Sequence, residues 1–434
     1  MFDDTHKSPN SMTSVVDEAR GLVGLLRERG SEIDELGVLP REVVQAMDDA
    51  GMYRIGIPES AGGLGPVSIS DRTETFLELG RGNASAAWSV WADLPTTEFI
   101  HQFGAEMADE LYGTEHVGPL TGGSAFNLAQ SVGVGQQVDG GYRLKGSWRF
   151  CSNSRLAAWV FLGFDWTDEK GDTKRSVALV PRADFSVADN WNVTAMRGTG
   201  SNSVFIKDYV YVPGHRVKSL ETAGTEAENN RLGLTIMLDV AAMLVGMALG
   251  AKETFVEAAS KRAPWGQPYP TMSHMPFVQT ALGRASSRIN VARLALMSHA
   301  RNADELGDGL GSEAVTTAGY DSIQIAHDMR EVAEELRNVM GTSTFAAGDA
   351  LGRFARDATG MCLHGAMREW SQESHGRAIL GVEEPGEFSM TTSLTPPQIG
   401  EFDELIESDP RTMWSPAMTS TSSQVRAGVD GGRA

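Results

Sequence analysis

The chain is short of the residues that several kinds of chemistry require. Its two cysteines, Cys151 and Cys362, stand far apart with no CxxC spacing, which excludes a disulfide framework and a cysteine metal cluster and points to a reducing compartment. Positive charge is also scarce, with 37 lysines and arginines against 57 aspartates and glutamates and a net charge of −20. Broad contact with a phosphate backbone needs clustered cations, so nucleic acid is not an expected partner. The amino-terminal MFDDTHKSPNSM lacks a basic segment followed by an apolar one; no signal peptide is expected, and the expected location is the cytoplasm. One stretch, Leu232 to Ala251, is apolar enough to raise the question of a membrane span. Asp239 near its middle is costly in lipid, and the surrounding helical pattern calls for a buried core, so no membrane partner is expected. There is no P-loop, HExxH, Gly-x-Ser-x-Gly elbow or Cys/His metal spacing. Catalysis must come from an organic cofactor or from scattered acid-base groups, and no metal is expected.

What is present organises the 434 residues into several domains with a core that needs no disulfides. Residues 1–117 read as a helical domain, with apolar positions at helical spacing from Ser14 and Pro40 at a helix start. Residues 118–222 read as a small antiparallel β-domain of short β-branched and aromatic runs between Gly, Asp and Asn. Within it, Gly133 to Gly141 lacks the third glycine and following helix of a dinucleotide fingerprint, and QVDGGYRLKG reads as a hairpin turning at Asp139-Gly140-Gly141. Residues 223–383 hold four amphipathic or apolar helices, which make a bundle. Residues 384–434, rich in Ser, Thr, Gly and Pro, read as an arm and a disordered tail.

Two segments of the β-domain carry more than structure. One is Trp148-x-Phe150-x-Ser152, and the other is Met196-Arg197-Gly198-Thr199-Gly200-Ser201-Asn202, small residues at which a backbone can approach a flat ligand. Taken alone, Trp148 reads more readily as a core aromatic and the serines as turn residues; the two segments in this order reverse that preference. Together they resemble the oxygenase components of two-component flavin-dependent monooxygenases, relatives of acyl-CoA dehydrogenases that include 4-hydroxyphenylacetate hydroxylase and related phenol hydroxylases and amine N-oxygenases. The resemblance runs from about Leu39 to Gly381. It implies an α+β, acyl-CoA dehydrogenase-like fold: an N-terminal helical domain, a middle β-domain and a C-terminal four-helix bundle. It also implies that Trp148 walls an isoalloxazine ring while Ser152, Thr199 and Ser201 supply hydroxyls to it. Arg262 and Gln279 would hold the flavin's phosphate tail, often across a subunit boundary, because an arginine binds phosphate bidentately. Thr342 and Ser343, at a helix end, would hold phosphate or adenine, although the same tetrapeptide reads equally as a helix-breaking loop.

The segment Arg356-Asp357-Ala358 to His364-Gly365 separates oxygenase from dehydrogenase. The position matching the dehydrogenase's catalytic glutamate is Gly365, whereas the family's oxygenases place a histidine where His364 stands. The alternative dehydrogenase base falls near Ile236, and Asp239, three residues on, lies on another helix face. A histidine can hold or release a proton near neutrality, so His364 is the candidate acid-base group, against a plain reading as a histidine packed in the bundle. The resemblance implies that Thr121, Ser124 and Asn127 are the polar groups nearest the cofactor, and Thr96, Ser124 and Asn127 are the candidate substrate-side residues. Several phenol hydroxylases of the family carry a histidine where Thr96 stands, and its replacement here favours an amine substrate over a small phenol. The resemblance implies an enzyme that takes reduced FAD or FMN from a separate reductase, binds O2, forms a C4a-hydroperoxide and oxygenates a small organic substrate, as a homotetramer. Amine N-oxygenation, as of a nucleotide-linked aminosugar in natural-product biosynthesis, hydroxylation of an aromatic or polyketide, acyl-CoA dehydrogenation and a non-enzymatic scaffold stand as alternatives.

Overall fold

The computed structural model describes residues 14–123, 131–220, 226–367, 376 and 379–382. Six helices come first: α1 (Val15–Glu28), α2 (Gly30–Leu36), α3 (Arg41–Asp49), α4 (Ile69–Gly82), α5 (Ala84–Phe99) and α6 (Ala105–Tyr112). Their starts follow from local chemistry. Ser14 accepts the Asp17 N–H, Ser68 the Asp71 N–H and Asn83 the Ala86 N–H, while Pro40 stands at the N-cap position of α3 with its φ fixed at −58° and no side-chain hydrogen bond.

Eight strands follow: β1 (Thr121–Gly123), β2 (Ser131–Val138), β3 (Gly141–Trp148), β4 (Trp159–Thr167), β5 (Thr173–Pro181), β6 (Ser186–Val187), β7 (Val204–Pro213) and β8 (Val217–Ser219). They form one sheet in the order β6-β7-β3-β2-β4-β5-β8, with β1 parallel to β4. The expected hairpin joins β2 to β3, with Val138 opposite Gly141 and Gly140 at a φ of 74°. Alternation splits the strands between two cores. Leu144, Trp148, Leu162, Phe164 and Val204 pack on one side, while Phe161, Val177 and Leu179 pack on the other against Phe99, Met107 and Leu111 of the amino-terminal helices.

The chain then forms α7 (Glu226–Lys261), α8 (Pro276–Leu306), α9 (Ser312–Met340) and α10 (Ala350–Cys362). Helix α7 is long and apolar enough to cross a membrane by composition, yet Leu238, Val240, Met243, Leu244 and Met247 are buried in the main core. Its Asp239 lies in that core because Arg72 of α4 donates to it at 2.8 Å, and a buried charge is tolerated only with such a partner. Glycine lets α4 and α7 touch: a Cβ at Gly80 would stand 2.4 Å from the Met243 carbonyl oxygen.

Candidate active site

Among the described residues, only Phe150, Asn153 and Met196 combine a side chain with a positive φ, at 57°, 61° and 54°. All three lie in or beside the two flavin-like segments. Left-handed backbone at non-glycine residues is costly and persists only where surrounding contacts hold it. Those contacts are visible. The Asn153 side chain accepts from the Ser89 hydroxyl at 2.7 Å and donates to the Ser89 carbonyl at 2.8 Å, fixing the first segment to α5. The Cys151 N–H donates to the Asn202 carbonyl at 3.1 Å and the Asn153 N–H to that of Thr199 at 3.2 Å, joining the first segment to the second.

The second segment is held by α10. Its Asp357 carboxylate accepts the Met196 N–H at 2.6 Å, and Arg356 Nε donates to the Thr194 carbonyl at 3.2 Å. Arg356 also reaches Asp34 of α2 at 2.9 Å, and Arg197 donates to the Asp34 carbonyl at 2.6 Å. Burial pushes the Asp357 carboxyl up to about 7, opposed by the Met196 N–H.

Between these anchors runs a chain of hydroxyls. Trp88 Nε1 donates to Ser152 Oγ at 3.1 Å, Ser152 Oγ lies 2.8 Å from Ser201 Oγ, and Ser201 Oγ lies 2.8 Å from Thr199 Oγ1. Thr199 in turn donates to the Met196 carbonyl at 2.8 Å. Each hydroxyl has one proton. Because Thr199 spends its proton on a carbonyl, Ser201 must donate to Thr199 and Ser152 to Ser201. The chain therefore offers lone pairs, not protons, to a ligand.

His364 follows α10 by two residues. Its ring stands edge-on to Trp88 at 5.0 Å and to Trp91 at 5.7 Å, and the two indoles lie 4.5 Å apart. Trp88 thus touches both the histidine and the hydroxyl chain. Desolvation pulls the His364 imidazole down to about 4. The expectation of a group titrating near neutrality is corrected accordingly: burial disfavours the charged imidazolium and holds the ring in its neutral form well below the usual histidine range.

Trp148 is also corrected. It is 0% exposed in the interior of the sheet, and its Nε1 donates to the Gly163 carbonyl at 2.7 Å. It cannot wall a ligand. The aromatic that the strand brings to the site is Phe150, partly exposed and edge-on to Trp191 at 6.0 Å, and the indole N–H of Trp191 ends on the Met196 carbonyl at 3.2 Å.

The remaining candidates fall elsewhere. Thr96 is buried on α5, two turns beyond Trp88. Thr121 is occupied by Asp93, which accepts both its N–H at 2.8 Å and its hydroxyl at 2.6 Å. Ser124 and Asn127 lie outside the described residues. Arg262 Nη1 donates to the Met340 carbonyl at 3.2 Å and to the Ser343 hydroxyl, so these two candidates do meet. Thr342 is exposed in the same turn, and the Gln279 amide is turned onto the Ser273 carbonyl at 3.0 Å. This group adjoins the start of α10, about 20 Å of helix from His364 at 1.5 Å per residue. Asp239 is taken by Arg72 and is unfit as a dehydrogenase base.

Of the residues gathered here, Trp88, Trp91 and Arg149 were not singled out from the sequence, and Phe150 and Asp357 entered only as members of their segments. Two tryptophans three apart in ASAAWSVWADL were the legible signal. Two donors of this region are buried with no acceptor among the described residues, Trp91 Nε1 and Arg149 Nη1. Orphaned buried donors are rare in native proteins and mark sites completed by something else. Together with the lone pairs of the hydroxyl chain, they fit a flat heteroaromatic group bearing acceptors and at least one N–H, as a reduced flavin does.

The family description "Acyl-CoA dehydrogenase, N-terminal domain" matches residues 16–114 and "Acyl-CoA dehydrogenase, C-terminal domain" matches residues 238–369, together just over half of the chain. The chain is 28% identical over 365 residues to the oxygenase subunit HsaA of a flavin-dependent monooxygenase from Rhodococcus jostii (strain RHA1), covering 80% of this chain and 92% of that one. The crystal structure of 3-HSA hydroxylase from Rhodococcus sp. RHA1 superposes with a TM-score of 0.73 at 26% identity, covering 86% and 99% of the two chains. The structure of XiaF from Streptomyces sp. with FADH2 and glycerol gives a TM-score of 0.74 at 24% identity, over 85% and 95%. On these matches and this architecture, the chain belongs to the acyl-CoA dehydrogenase superfamily, in its branch of flavin-dependent monooxygenase oxygenase components.

Proposed function

We propose that this protein hydroxylates a flat organic substrate, an aromatic or polyketide ring bearing a hydroxyl, with reduced flavin delivered by a separate reductase and with O2. The observation that carries the reading is the unbroken contact from His364 through Trp88 to Ser152, Ser201 and Thr199. Bound reduced flavin supplies the two electrons that activate O2. The chain's own groups do the rest. The lone pairs of Ser152 and Ser201 receive a ligand N–H, Phe150 offers an apolar face, and the Asp357 anchor keeps the 196–202 segment against them. Trp88 and Trp91 exclude water from His364, whose neutral imidazole accepts the proton of a substrate hydroxyl. The Arg262–Ser343 group, a helix length from His364, suits the tail of a flavin seated in a neighbouring subunit, in a cytoplasmic homotetramer that takes FAD or FMN. Amine N-oxygenation is the second reading, favoured by Thr96 in the place of a second histidine.

The test is a reductase-coupled assay under 18O2 with panels of phenols, polyketides, amines and saturated acyl-CoA thioesters. We expect one labelled oxygen atom in the product of a hydroxylated ring. A labelled nitroso or hydroxylamino product selects the second reading, and an unlabelled, desaturated acyl thioester would sink both.

A further inference from the structure

Arg149 follows the end of β3, between the buried Trp148 and the left-handed Phe150, three residues before Ser152. Its Nη1 is buried and has no hydrogen-bond acceptor, and no carboxylate pairs with it, among the described residues. The guanidinium is half-buried, and in a chain with 57 acidic residues against 37 basic ones a buried arginine nitrogen left without any acceptor is unusual. Other arginines of the β-domain find acceptors: Arg155 pairs with Asp189, Arg175 with Asp165 and Arg216 with Glu110, while Arg182 and Arg197 donate to carbonyls. Burial alone depresses its affinity for the proton, with no anion to offset it. Leaving a buried charge unpaired costs more than leaving a neutral donor so. Retained beside the cofactor segment, this cation calls for an anion that arrives with the ligand.

We propose that Arg149 is the residue that selects the reduced flavin, by pairing with the negative charge that the reduced ring carries and the oxidised ring lacks. The inference rests on the flavin reading above. Near neutral pH the reduced isoalloxazine is an anion, its charge spread over N1 and the adjacent C2 carbonyl, whereas the oxidised ring is neutral. Charge placed near that locus is a principal way in which a protein tunes a flavin. The hydroxyl chain works in the same direction, since it offers lone pairs to the N5–H that only the reduced ring has. An oxygenase fed by diffusion needs this selectivity, because spent oxidised flavin must leave before reduced flavin enters.

The experiment is an anaerobic titration of the full-length wild type, Arg149→Gln and Arg149→Lys with reduced and oxidised FMN and with reduced and oxidised riboflavin, which lacks the phosphate. Melting curves establish that each variant is folded. Arg149→Gln should bind both reduced forms about 10- to 100-fold more weakly, the range of one lost charge-assisted hydrogen bond, and both oxidised forms unchanged. Arg149→Lys, which keeps the charge, should keep most of the preference. Equal losses for reduced and oxidised FMN with none for riboflavin would make Arg149 a phosphate ligand and overturn the proposal. An Arg149→Gln variant with the wild-type preference overturns it as well, while leaving the flavin reading intact. A wild type that binds neither redox form defeats the flavin reading and this inference together.

Discussion

His364 shows how far a single residue's chemistry depends on its surroundings. With an ordinary imidazole it would titrate near 6.5, but desolvation among Trp88 and Trp91 brings it to about 4. Between those values the unfolded chain binds a proton that the native state refuses, so native stability falls as pH drops from 6.5 to about 4 and is unaffected above. His364→Gln removes that dependence. Urea midpoints of the two proteins should therefore diverge below pH 6.5, with the wild type losing ground. The same variant should lower turnover about 10²-fold or more while reduced-flavin affinity stays within a factor of two or three, the size expected for a lost general base. Turnover that merely follows the folded fraction would reduce His364 to a packing residue. The position of this histidine was legible from its place before Gly365; its neutrality was not, because the two indoles come from a helix more than 250 residues earlier in the chain.

At the scale of elements, α10 and the 196–202 segment act as one unit. Gly360 lets the helix lie against the segment, since a Cβ there would stand 2.8 Å from that of Ala195. Asp357 then holds the left-handed Met196 by its N–H. Asp357→Ala should cost about 1–3 kcal/mol in urea unfolding, because it leaves that buried N–H without an acceptor. Asp357→Asn keeps an acceptor and loses the charge. Since burial raises the native carboxyl from 3.8 to about 7, the native state holds a proton that the unfolded chain has released, and wild-type stability declines as pH rises through that window. Asp357→Asn should gain on the wild type from pH 4 to pH 7, and parallel urea midpoints across that range would refute the carboxyl's raised affinity. The turn-forming residues of this segment were plain in the sequence, but its anchor was not. An Asp at mid-helix reads as solvated until the loop that it caps is folded onto it.

For the whole molecule, the apolar surface is concentrated on the carboxy-terminal helices and their connections. Trp265, Phe277, Val291, Leu294 and Phe345 are exposed there, Trp265 at 98%. Side chains of this size clustered at a surface mark an interface, and the Arg262–Ser343 group lies in the same region. The protein should run as an oligomer, most simply a tetramer, by light scattering, and a monomer at micromolar concentration would contradict this. The order of the architecture was determined by the sequence alone: helical periodicity before residue 117, alternation from 118, and four long helical stretches afterwards each declare themselves within a few turns or strands, because burial on one face imposes its own repeat. The two glycine- and hydroxyl-bearing segments were equally local. Which aromatic of the motif stays accessible was decided only by the tertiary structure. Trp148 and Phe150 differ by two residues and share one motif, but the left-handed turn after the strand leaves the first inside the sheet and brings the second to its edge. The same holds for the direction of the hydroxyl chain and the unpaired charge of Arg149, since donors find or miss their acceptors across segments far apart in sequence and no local pattern records the outcome.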